Sequence, residues 1–145
     1  LIKYIEKTNV SADTQLADSI KTAITTAMMD PSVIAADSTT INGLSTSWQD
    51  VKDIGKATDA SDTTKLRGAI KEILGFDLAD ATGKLKSKHD TAAEVQYKLI
   101  DGNTVAVAIT GTDNTGKKSP AADKYIVVGV DSYGSSTSST STDTE

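Results

Sequence analysis

The stretch LIKYIEKTNVSADTQLADSIKTAITTAMMDP, residues 1–31, decides the fold predicted for this chain. Its apolar residues recur at spacings of three and four, which places them on one face of an α-helix. These apolar positions are Ile5, Ala12, Leu16, Ile20, Ala23, Ile24, Ala27 and Met28. The opposite face is polar, and we expect it to contact water through Lys7, Asp13, Asp18, Lys21 and Thr25. Asp30-Pro31 ends the helix, because proline disfavours α-helical backbone in the residue before it.

The start of this helix lacks the Ser, Thr, Asp or Asn that usually caps a helix N-terminus. The chain opens instead with Leu1-Ile2-Lys3-Tyr4-Ile5. We therefore expect the helix to continue into an upstream segment of about 20–25 mostly apolar residues. An unbroken helix from Leu1 to Met29 is about 43 Å long, so its first turns are predicted to protrude from a small domain.

The rest of the chain predicts a loop-rich connection followed by an antiparallel sheet. The connection, residues 31–93, contains a helix expected over residues 63–74, with Asp62 as its N-cap and Gly75 as its C-cap. In residues 94–134, two alternating stretches (95–99 and 105–109) flank a turn, and a third strand follows over residues 125–130. The sequence thus predicts one α+β domain over residues 1–134, with a long N-terminal helix packed on a small antiparallel sheet. A Ser/Thr-rich tail occupies residues 135–145.

Composition excludes several classes of protein. The net charge is -5 and no basic stripe is present, so we expect no binding to nucleic acid, which requires clustered Lys and Arg. The chain contains no cysteine, which excludes thiolate catalysis, disulfides and cysteine zinc sites.

One segment imitates a nucleotide-binding loop: Gly111-Thr112-Asp113-Asn114-Thr115-Gly116-Lys117-Lys118-Ser119. In a P-loop, the lysine is followed at once by a Ser or Thr that binds Mg²⁺ and by a helix. Here Lys118 takes that position, and Ser119-Pro120 follows. The next predicted strand also begins too soon for a crossover helix. We interpret the segment as a turn, and we expect no cofactor and no enzymatic activity.

Other polar residues give weaker indications of a site. His89 is the only histidine, so no Ser-His-Asp triad or two-histidine metal site can be built, and we interpret it as an exposed loop residue. Asp113, Asn114 and Asp123 offer oxygen ligands for Ca²⁺ without the full alternation that ends in a bidentate acid, so calcium binding is left open. Trp48 is predicted to pin a long loop to the core.

The order of these parts resembles the extracellular portion of a type IV pilin. LIKYIEKTNVSADTQLADSIKTAITTAM is similar to the stretch that follows the apolar N-terminal half-helix of that family, with Tyr4, the pair Glu6-Lys7 and the small residue Ala12. The absence of cysteine is similar to pilins of Gram-positive bacteria.

This resemblance implies a structural subunit of a cell-surface pilus that acts in adhesion, motility or DNA uptake. Its partners would be copies of itself in a helical filament and the pilus assembly machinery. It would contact the membrane only through the expected upstream segment, before assembly. The assembly interface would contain Leu1, Ile2, Tyr4 and Ile5, and no catalytic, cofactor or metal residue is implied.

Three alternatives stay open at the level of sequence. The first is a pseudopilin of a secretion or competence system. The second is a monomeric extracellular binding module, which a gene without an upstream apolar segment would favour. The third is an enzyme that uses the loop 111–118, which saturable ATP binding would favour.

Overall fold

The computed structural model describes residues 2–86, 93–101, 103–110 and 126–130, and it describes side-chain surroundings there except at residues 2–10 and at Asp101. The architecture is α+β, with helices packed on a four-stranded antiparallel sheet. The α-helices of the described part are α1 (Ile2–Met28), α2 (Pro31–Asn42) and α3 (Leu66–Leu74). The strands there are β1 (Gln49–Asp50), β2 (Glu94–Asp101), β3 (Thr104–Thr110) and β4 (Ile126–Val128). Short 3₁₀ helices cover Val51–Asp53, Ala57–Ser61 and Leu78–Lys84.

Helix α1 contacts β3, β4 and α3. Ile20 and Ile24 are fully buried as their spacing predicted, whereas Leu16 is half-buried at the margin of the core. The surroundings of α1 are described for residues 11–28, which is about 18 residues. The structure therefore describes α1 packed on the sheet over about 18 residues, which is shorter than the long packed helix that was predicted.

The polar face predicted for α1 differs at three positions. Asp13 is buried, and Lys21 and Thr25 are half-buried. The Thr25 hydroxyl oxygen has no hydrogen-bond partner within the described part of the chain. Asp18 is exposed as expected.

Helix α2 lies where the sequence predicted a loop. It begins directly after Asp30, whose carboxylate accepts a hydrogen bond of 2.9 Å from the Ser32 N–H, and Pro31 occupies its first turn, a position that proline favours. The helix is kinked at Asp37, where φ is -142° and ψ is 34°. Only Val33 and Asp37 are buried, so the helix lacks the apolar stripe by which sequence analysis recognises a helix.

Helix α3 confirms the short helix in the connection, although it begins at Leu66 instead of residue 63. The predicted N-cap Asp62 is wrong, because its carboxylate accepts hydrogen bonds from the N–H (3.0 Å) and hydroxyl (2.7 Å) of Thr64 in a local turn. The C-cap Gly75 is confirmed, with a left-handed φ of 90°.

The sheet has the strand order β1-β2-β3-β4, and all its pairs are antiparallel. The predicted hairpin is confirmed, since Val95 pairs with Ile109 and Tyr97 with Val107 across β2 and β3. Within the predicted third strand, residues 126–128 pair with residues 107–109 of β3. The two-residue β1 was not predicted. The tail 135–145 lies outside the described residues, so the division into a domain over residues 1–134 and a tail stays a prediction.

Candidate assembly surface

The predicted assembly residues stand at the start of α1. Ile2, Tyr4 and Ile5 belong to the helical backbone of that element, and their side chains lie outside the described residues, as does the whole of Leu1. Their role as an interface therefore stays a prediction.

Within residues 11–28 of α1, Asp13 is the first buried residue. It is 1% exposed, and its Oδ1 accepts a hydrogen bond of 2.8 Å from the backbone N–H of Lys86. This bond ties α1 to the segment that follows the 3₁₀ helix Leu78–Lys84. Sequence reasoning placed Asp13 on the water-facing side, but it stands four residues before Ala17 and seven before Ile20, both of them buried. That spacing was the available signal for its position on the packed face.

Arg67, the only arginine of the chain, is a buried polar group that sequence reasoning missed. Its Nε and Nη2 donate to the two carboxylate oxygens of Asp77 at 2.9 and 3.2 Å. Its Nη1 donates to the carbonyl oxygens of Lys52 and Ile54 at 2.7 and 3.0 Å. The hydrogen bond from Arg67 is the main cause that lowers the pKa of Asp77, and it outweighs the effect of partial burial, which raises that pKa. Arg67 ties α3 to the end of the 3₁₀ helix Val51–Asp53 and to Asp77, and its hydrogen bonds serve that structural role.

Two hydrogen bonds of Ser45 hold the loop between α2 and β1 to strand β2. The Ser45 N–H donates to the Tyr97 hydroxyl at 3.0 Å, and the Ser45 carbonyl oxygen accepts from the Leu99 N–H at 2.8 Å. Trp48 is half-buried, and the Lys98 Nζ lies 5.1 Å from the centre of its ring. Burial raises the pKa of Tyr97 and lowers that of Lys98. Trp48 thus contacts a side chain of β2 beside the loop it was predicted to pin.

The other candidates from the sequence lie outside the described residues: the loop 111–119, His89, and the possible calcium ligands Asp113, Asn114 and Asp123. Among residues that are described, no three His, Asp or Glu side chains are grouped so that they could hold a metal ion. A search of the same residues finds no helix with the length and apolar character needed to cross a membrane.

Comparison with protein-family models, curated proteins and solved structures finds no match to this chain.

Proposed function

We propose that this chain is a structural subunit of an extracellular, type IV pilus-like surface filament and that it has no enzymatic role. The observation that carries the proposal is the packing of α1, through Ile20 and Ile24, on an antiparallel sheet that comes last in the chain. A pilin-like fold has this order of helix, connection and sheet, and the resemblance of residues 1–28 points in the same direction.

In such a filament the helices form the centre and the sheets face water. From Asp13 onward, the buried residues of α1 are committed to contacts within the domain. We assign the contact with neighbouring subunits to the start of the chain, at Leu1, Ile2, Tyr4 and Ile5. The assembly machinery and, before assembly, the membrane are the further partners that the proposal includes.

One pair of substitutions tests the proposal. Ile20→Asp should unfold the domain, because a buried carboxylate without a partner costs several kcal/mol against a total stability of about 5–15 kcal/mol. Ile5→Asp should leave the melting temperature of the isolated chain nearly unchanged, yet it should abolish filaments when introduced into the complete gene. Thermal melts of the purified chains and electron microscopy of cells that carry each gene give the two readouts.

The matched control for Ile20→Asp is Thr22→Asp, at an exposed position of the same helix. It should change neither stability nor filament number. If Ile5→Asp destabilises the isolated chain as much as Ile20→Asp does, the start of α1 is an ordinary core element. Normal filaments from the Ile5→Asp gene would equally contradict the proposed assembly surface.

A further inference from the structure

We draw no further inference here: the strongest candidate, the sheet face that carries the buried residues Ala106, Ala108 and Thr110 of β3 and Lys98 of β2 and lies outside the hydrophobic core, supports no proposal, because nothing in the described part of the structure shows what covers it.

Discussion

Arg67 donates four hydrogen bonds to other parts of the connection, residues 31–93, and no sequence motif predicted them. It is 1% exposed, while the Asp77 side chain that it contacts is 19% exposed. A buried ion pair stabilises a fold when further hydrogen bonds satisfy the charged groups, and two backbone carbonyl oxygens do so here. Truncation of one partner leaves the other charge buried without compensation.

The pH dependence of stability follows from this pair. The hydrogen bond from Arg67 lowers the pKa of Asp77 in the folded chain below its ordinary value of 3.8. The unfolded chain therefore takes up the proton at higher pH than the folded one. The stabilisation is fully present above pH 3.8 and is lost as the pH falls through the lower pKa of the folded state.

We expect Asp77→Asn to lower the free energy of unfolding at neutral pH by on the order of 3 kcal/mol, because Arg67 then lacks its counter-charge. The difference in free energy of unfolding between the variant and wild type should decrease as the pH falls below 3.8, because the stabilisation by ionised Asp77 is then lost. Urea unfolding at a series of pH values measures both effects. Asp80→Asn, at an exposed position of the 3₁₀ helix that follows Asp77, is the control. A difference that is constant across the acidic range would contradict the role assigned to the pair.

Individual polar residues were the part of the molecule least accessible from sequence. Asp13 could have been placed on the packed face of α1 from its spacing to Ala17. Arg67 could not be assigned its partners, because two of its four hydrogen bonds go to the backbone carbonyls of Lys52 and Ile54, whose positions no side-chain pattern encodes. Asp37 was hidden for a related reason, since its carboxylate acts on a residue 29 positions away.

At the scale of elements, strong periodicity predicted well and weak periodicity did not. Apolar residues recur every three or four positions in α1 and α3, and every second position in the hairpin of β2 and β3. Helix α2 has no such pattern, and its Ser and Thr residues favour turns when judged locally. Packing of Val33 in the core and the proline start stabilise it as a helix nonetheless. Strand β1 has two residues, too few for any periodicity to appear.

Close packing between α3 and the turn before it depends on Gly68. A Cβ at this position would collide with the carbonyl oxygen of Asp62 and lie 2.8 Å from that of Asp59. These are backbone atoms, so relief requires movement of the 3₁₀ helix Ala57–Ser61 or of α3 itself.

Gly68→Ala should therefore destabilise the chain by about 1–3 kcal/mol, although alanine is the better helix former. Gly83→Ala is the matched control, because an added Cβ there meets no atom within 4 Å. That substitution should leave stability unchanged or raise it by up to about 1 kcal/mol. Chemical denaturation of the two variants decides the matter, and equal stabilities would show that the turn before α3 yields at little cost.

For the whole molecule, the α+β class followed from the sequence, because one amphipathic helix and three strands joined by short or medium connections leave few arrangements. The sequence could not assign the hydrogen bond from the Lys86 N–H to Asp13, because the two residues are 73 positions apart and no local pattern connects them.

The isolated chain should be a monomer at micromolar concentration. Each copy carries a net charge of -5, which opposes association of the isolated chains. Light scattering tests this, and a stable closed oligomer would contradict it.

The kink in α2 has a consequence for the cooperativity of unfolding. Asp37 has non-helical backbone angles within α2, and its carboxylate accepts a hydrogen bond from the Leu66 N–H, the first of α3. The residue that kinks one helix therefore caps the N-terminus of another. Fraying of α2 at this residue strips α3 of its N-terminal partner, and loss of α3 leaves a buried carboxylate in α2. The two helices are therefore expected to open and close as one unit, although neither has a strong helical sequence of its own.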